Sequence, residues 1–213
     1  MKKIVFGTTN NRKLEDLKNI VKKYNLDIEV LSMSDIGWNL GEIEENGKTI
    51  EENSLIKAKA IYAFCAKHNI DCSILTDDAG LFVEALNGQP GIFTARFADD
   101  ELAVDSSLPK HQCLYKLLRL LNGVENRKAE YRCAVTLMNN KGNYEQIVES
   151  SKGFIDTKIN EPIKKPYFYS LFVDAKTKKP FNTLTSEELA NTYRYKALTK
   201  AFLSTANTSL HNK

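Results

Sequence analysis

Residues 4–24 read IVFGTTNNRKLEDLKNIVKKY, and the order of patterns within them decides the fold class. Ile4, Val5 and Phe6 form a short unbroken apolar run, the mark of a buried strand, which stops at Gly7. Leu14, Leu17, Ile20, Val21 and Tyr24 then recur at helical spacing, which predicts a helix from about residue 11 to 24 with Thr9 or Asn10 as N-cap.

The rest of the chain repeats and then varies this unit. Residues 28–33 predict a second strand, and 34–48 a loop rich in Gly, Asn and Glu. Thr49 and Glu52 have capping-box spacing and open a helix from 50 to about 68, carrying Ile50, Leu55, Ala58, Ile61, Tyr62 and Cys65. Ser73 to Thr76 predict a buried strand running into Asp77-Asp78, with Ala79-Gly80 as punctuation before the apolar run Leu81–Leu86. Gly88 to Gly91 signal a turn. A helix is expected over Pro109–Leu121, then a hairpin of 130–138 and 143–149 across Asn139–Gly142, with a third strand over 153–159. Residues 160–182 read as irregular, and Thr185–Leu203 as one helix opened by a second capping box, Thr185 with Glu188, before a frayed tail of ten residues. Strands and helices alternate first and a hairpin follows, which argues a mixed-sheet α/β fold. No linker or repeat divides residues 1–213, so one domain is expected.

With 42% hydrophobic and 27% charged residues, disorder and collagen-like repeats are excluded. The longest apolar run falls far short of the ~18 residues that span a bilayer. Two lysines and three or four apolar residues at the start predict no signal peptide. Cys65, Cys72, Cys113 and Cys133 form no CxxC pair, and no histidine stands at ligand spacing, which argues against zinc and disulfides and for a reducing, cytoplasmic setting. Cys65 and Cys133 read as small core hydrophobes. Residues 151–213 carry 11 Lys and Arg against 5 Asp and Glu, net +6, whereas residues 1–150 carry 19 against 22, net −3. That asymmetry suggests either an acidic, metal-binding and a basic, phosphate-binding wall of one cleft, or unorganised surface charge.

Three stretches carry candidate chemistry. Thr8, Thr9, Asn10, Asn11, Arg12 and Lys13 lie between a strand and a helix start, where backbone N–H groups and the helix dipole attract anions and these side chains add phosphate donors. The plainer alternative is a capped helix with a solvated basic first turn. Positive charge there opposes the dipole, so a nearby anion would explain it. Glu42, Glu44, Glu45, Glu51, Glu52, Asp77 and Asp78 form an acidic set, and hard carboxylate oxygens suit Mg²⁺. Alternatively Asp77 caps a turn and Asp78 faces water. Arg96 is placed to grip phosphate or to pair with Asp99, Asp100 or Glu101, the ion pair being favoured by spacing. Trp38 reads as loop packing, and His68, His111 and His211 have no triad partners by pattern.

Together these pieces resemble the inosine triphosphate pyrophosphatase (Ham1-like) family. Its T-x-N-x-x-K signature corresponds to Thr8–Lys13. Its E-x-x-x-T-x-x-E-N segment corresponds to Glu45, Thr49, Glu52 and Asn53, followed by Lys57-Ala58. Its long central block corresponds to DDAGLFVEALNGQPGIFTARF at residues 77–97. The resemblance implies an elongated mixed β-sheet with flanking helices, forming two lobes around a central cleft, and a homodimer. It implies Mg²⁺-dependent hydrolysis of inosine- or xanthosine-type triphosphates to monophosphate and pyrophosphate. Membrane and nucleic-acid partners are not expected. By the same resemblance Thr8 to Lys13 cradle the triphosphate, and Lys57, Ala79, Arg96 and Arg194 stand at further substrate positions. Glu45 and Asp78 bind metal with Asp77 close by, and Asp78 activates the attacking water. The chain departs from the family where Ala79 replaces a serine. In the last third Tyr169 stands for an aspartate, Glu188 for a lysine and Tyr193 for a histidine, while Phe172 and Arg194 remain. Base preference is therefore expected to be altered, or activity weakened. Lys164, Lys165, Lys176, Lys178 and Lys179 are either replacement phosphate donors or solvated loop lysines.

Overall fold

The computed structural model describes residues 2–208, with the backbone alone for Arg12 and 205–208. A strand β1 (Lys2–Phe6) leads into helix α1 (Asn11–Lys23), as the opening pattern predicts. Strand β2 (Ile28–Leu31) and helix α2 (Ile50–Lys67) follow. Then come β3 (Ser73–Val83), β4 (Pro90–Gly91), α3 (Asp99–Val104) and α4 (Gln112–Leu120). Strands β5 (Lys128–Met138) and β6 (Tyr144–Ile155) are joined by the tight turn at Asn139–Asn143. Strand β7 (Phe172–Asp174) and helices α5 (Ser186–Leu189) and α6 (Tyr193–Thr208) complete the chain. A seven-stranded sheet runs β2-β1-β3-β5-β6-β7, with β4 paired to β3. It is mixed: β1 pairs in parallel with β2 and β3, whereas β3/β4 and β6/β7 are antiparallel. None of the helices among the described residues is long and apolar enough to cross a membrane.

The chain divides into two compact units. Among the described residues the first comprises 2–78, 133–149 and 196–208. Its apolar cluster joins Val5, Met33, Ile36, Ala58, Ile61, Phe64, Cys65, Ile74 and Met138, so the stripe predicted on α2 does face a core. Trp38 packs in its loop against Phe64 at 5.1 Å and donates its Nε1–H to the Gly41 carbonyl at 2.8 Å. The second unit comprises 79–132 and 150–195, with Leu81, Val83, Leu114, Leu117, Phe168, Phe172 and Phe181 among its buried side chains. Cys65 and Cys133 are buried, and burial pushes the half-buried Cys113 thiol up to about 11.

Several expectations are corrected. Ala79-Gly80 do not interrupt the chain: β3 is a single strand of 11 residues. Gly80 is needed for pairing instead, because a Cβ there would lie 2.3 Å from the Gly91 carbonyl oxygen, beside the Leu81–Gly91 register. The third strand expected over 153–159 is the continuation of β6 to Ile155. Helix α4 begins at Gln112, after a turn in which Gln112 N–H donates to the Pro109 carbonyl at 2.8 Å, so Pro109 precedes the helix. The last helix is two helices. The Tyr193 N–H, which a continuous helix would give to a carbonyl four residues back, is donated to Ser151 Oγ at 2.9 Å, and Thr192 Oγ1 bonds the Leu189 carbonyl at 2.7 Å. Helical backbone then continues to Thr208, where a frayed tail was expected, and residues 209–213 lie outside the described residues.

Candidate active site

Adjacent residues of a strand point to opposite faces, and Asp77 and Asp78 stand mid-strand in β3. Each meets a different helix. Asp77 is 1% exposed, and both of its carboxylate oxygens accept from Lys13 Nζ at 3.2 Å. Lys13 lies in the first turn of α1. A carboxylate this deeply buried is stable only when its charge is met, so Asp77 is the anion that explains a cation at the dipole's positive end. Asp78 faces α2, where its Oδ2 accepts from Asn53 Nδ2 at 3.2 Å and its Oδ1 lies 3.9 Å from Lys57 Nζ. Asn53 and Lys57 are one turn apart on that helix and therefore share a face. The Lys57 ammonium also donates to Glu45 Oε2 at 3.0 Å, so one cation lies between two carboxylates.

Helix α2 is fixed at both its start and its flank. Thr49 Oγ1 accepts from the Glu52 N–H at 3.1 Å. Glu52 completes no capping box, because its carboxylate reaches one residue further back, to the Lys48 N–H at 2.5 Å. The Gly47 N–H donates to Asn53 Oδ1 at 2.9 Å. These two bonds dock the loop that carries Glu45 onto the helix. Behind them Ser54, Thr76 and Thr136 are each 0% exposed and bond one another: Ser54 Oγ to Thr136 Oγ1 at 2.9 Å, and Thr76 Oγ1 to the Ser54 carbonyl at 2.7 Å. A satisfied polar layer thus holds the face of α2 that presents Asn53 and Lys57 against β3.

The turn from β1 into α1 follows from its own bonds. Gly7 N–H donates to the Leu75 carbonyl and Asn10 N–H to Thr8 Oγ1 at 3.2 Å, and the first helical bond runs from Leu14 N–H to the Asn10 carbonyl. Thr8, Thr9 and Asn11 sit around this turn, and the Arg12 side chain lies outside the described residues. Lys13, Lys57, Glu45, Asp77 and Asp78 therefore all lie in the first unit, as one pair (Lys13 with Asp77) and one trio (Lys57 with Glu45 and Asp78) on the two faces of β3. Asn53 and the hydroxyls of Ser54 and Thr76 escape a reading by residue type. The signal that points to Asn53 is a polar side chain one turn ahead of Lys57 on a helix otherwise rich in Ala and Ile.

The remaining candidates belong to the second unit. Ala79 follows Asp78 in β3, and Arg194 is the second residue of α6. Arg96 is exposed and lies over the Phe93 ring at 5.8 Å. The ion pair that spacing favours for it does not form. Asp100 pairs with Lys116 at 2.7 Å, and Glu101 bonds Arg119 and Gln112. Glu188 completes the capping box of α5 and accepts from Lys179 at 2.7 Å, and that bond holds its carboxyl below the usual range. Tyr169 and Tyr193, two departures from the family pattern, bond each other through their hydroxyls at 2.8 Å. They sit in an aromatic cluster with Tyr131, Phe172 and Phe181, in which Tyr131 stacks on Tyr193 at 5.0 Å.

Among the described residues no group of three His, Cys, Asp or Glu side chains gathers at metal-holding distances. Mg²⁺ commonly takes only one or two carboxylates and completes its sphere with water and substrate phosphates. Glu45 and Asp78, 33% and 18% exposed and already converging on a cation, fit that requirement.

The model of the Ham1 family matches residues 4–203. The chain is 42% identical over 138 residues to a dITP/XTP pyrophosphatase of Thermoanaerobacter pseudethanolicus, an alignment covering 64% of this chain and 63% of that relative, just under two thirds of its length. It is 36% identical over 207 residues to the dITP/XTP pyrophosphatase of Clostridium perfringens, covering 94% of this chain and 95% of the relative. Among solved structures, the Ham1 protein of Staphylococcus aureus superposes with a TM-score of 0.79 at 25% identity, over 97% of this chain and all of the other. The HAM1 protein of Coxiella burnetii, at 24% identity and a TM-score of 0.78, has the same fold.

Proposed function

Because the chain belongs to the Ham1 family, we propose that it hydrolyses a purine nucleoside triphosphate of the inosine or xanthosine type to the monophosphate and pyrophosphate. The observation that carries this reading is the pair of adjacent β3 carboxylates, one buried on Lys13 and one held with Glu45 around Lys57. Dissimilar environments let two neighbouring carboxylates perform different tasks. Asp77 fixes the Lys13 ammonium beside the start of α1, where the triphosphate oxygens meet backbone N–H groups and the hydroxyls and amides of Thr8, Thr9, Asn10 and Asn11. The more accessible Asp78 takes the proton of the attacking water as the new O–P bond forms at the α-phosphorus. The bridging bond to the β-phosphate breaks, and pyrophosphate leaves. Glu45 and Asp78 would hold Mg²⁺, which supplies charge neutralisation at the phosphates and a more acidic water when bound. Lys57, Arg12, Ala79, Arg96 and Arg194 are further candidates for contact with the same nucleotide. A homodimer and a cytoplasmic location complete the proposal.

The Tyr169–Tyr193 pair favours altered base preference, and it also supports a second reading, a relative that binds nucleotide with weakened turnover. A panel of ordinary and deaminated triphosphates, incubated with Mg²⁺ and assayed for pyrophosphate, separates the two. Release from inosine or xanthosine triphosphate is the expected result. Binding of the panel without release from any member overturns the enzyme in favour of the binding protein.

A further inference from the structure

We propose that Asn53 is a positioning residue for this site: it orients the Asp78 carboxylate and ties to it the loop that carries Glu45. The inference rests on the pyrophosphatase reading for its chemistry and on geometry for its substance. Asn53 is 2% exposed near the start of α2, and asparagine is a mediocre helix former. Its amide is used at both ends. The Gly47 N–H can only donate, so it claims Oδ1 at 2.9 Å. That assignment turns Nδ2 toward Asp78 Oδ2, 3.2 Å away, and a carboxylate oxygen can only accept. The partners thus fix which way the amide points.

The loop is fitted to this arrangement. A Cβ on residue 47 would lie 2.7 Å from Asn53 Oδ1 and 3.0 Å from the Asn53 backbone nitrogen, so glycine alone brings the loop backbone close enough to bond the amide. Two residues earlier in the same loop is Glu45, whose carboxylate shares Lys57 with Asp78. One buried side chain therefore sets the rotation of one candidate metal ligand and the distance to the other. An aspartate at this position keeps an acceptor for Gly47 but loses the donor to Asp78 and faces it with like charge.

Asn53→Asp and the similarly shaped Asn53→Leu test the inference against a purely structural role. Three readouts serve: kcat and KM on the best triphosphate of the panel, melting temperature, and Mn²⁺ binding to the nucleotide-free protein by electron paramagnetic resonance. Groups that orient metal ligands typically matter about 10–100-fold, so Asn53→Asp is expected to lower kcat by that factor with KM within about threefold and the fold retained. Asn53→Leu is expected to weaken Mn²⁺ binding by about 10-fold. Wild-type kcat in a folded Asn53→Asp protein overturns the proposal, as does unchanged Mn²⁺ affinity in Asn53→Leu. If the wild-type protein releases no pyrophosphate from any triphosphate, the enzymatic reading fails, and Mn²⁺ binding decides Asn53 alone. Weakening in Asn53→Leu then supports positioning, and equal affinity or no Mn²⁺ binding by the wild type overturns it.

Discussion

Lys13 and Asp77 show how one residue constrains another 64 positions away. Removing one member of a buried ion pair typically costs about 3–5 kcal/mol, and because Lys13 is 26% exposed we expect the lower figure of about 1–3 kcal/mol for Lys13→Met. Adding Asp77→Leu should recover part of that loss, since replacing both charges removes the desolvation cost of the carboxylate. Denaturant unfolding of the single and double variants checks both statements, and neither variant should release pyrophosphate at the wild-type rate. For Asp78, loss of a proton acceptor of this kind costs at least about 100-fold, so Asp78→Asn should reduce kcat by that much while leaving stability nearly unchanged. An undiminished rate would remove Asp78 from the role of base. Residue types at Lys13, Glu45, Asp77 and Asp78 are visible in the sequence. Their pairing is not, because nothing local states that Asp77 turns to α1 and Asp78 to α2.

Elements were legible where local signals agree with burial. Helices α1 and α2 combine an apolar stripe with a defined start, and the capping box of α5 forms as spacing predicts. They were illegible where a distant partner decides. Gly80 reads as punctuation, yet it is a strand residue required by the Gly91 backbone. Gly80→Ala should therefore destabilise by about 3 kcal/mol, the cost of overpacking against atoms that cannot yield, and thermal unfolding measures it. The break between α5 and α6 likewise depends on Ser151, 42 residues before Tyr193. The aromatic cluster of the second unit makes a prediction about pH. Burial pushes the Tyr131 and Tyr193 phenols well above the ordinary tyrosine range. The folded state thus keeps two protons that the unfolded chain releases near pH 10, so their contribution is constant below about pH 10 and falls as pH rises beyond it. Denaturant midpoints across that range should decline, with ultraviolet difference spectra showing two tyrosines that ionise only on unfolding. Tyr193→Phe, which deletes one of the two, should make the decline shallower.

At the scale of the whole molecule, charge is redistributed by the path of the chain. Along the sequence residues 1–150 are net −3 and residues 151–213 net +6. In space the first unit gathers residues from the start, middle and end, with 14 Lys and Arg against 15 Asp and Glu among its described residues, and the second holds 15 against 12. The basic last third is therefore divided between the two units and is no separate unit of its own. With net charges of −1 and +3 on the described residues of the two units, a random oligonucleotide should bind no tighter than about 100 µM near physiological salt, a value that fluorescence anisotropy reads directly. Tight, salt-sensitive binding would refute this estimate. The α/β class, the order of most elements and the inventory of charged groups are legible along the chain, because strand and helix periodicity and capping are set by neighbours a few residues apart. Long-range packing is what carries β3 unbroken past Gly80, gives Lys13 to Asp77 and Lys57 to Glu45 and Asp78, and sets Asn53 between Gly47 and Asp78. Those facts depend on the sheet placing two helices on opposite faces of one strand, where the cost of desolvation requires each buried polar group to be met by side chains distant in sequence.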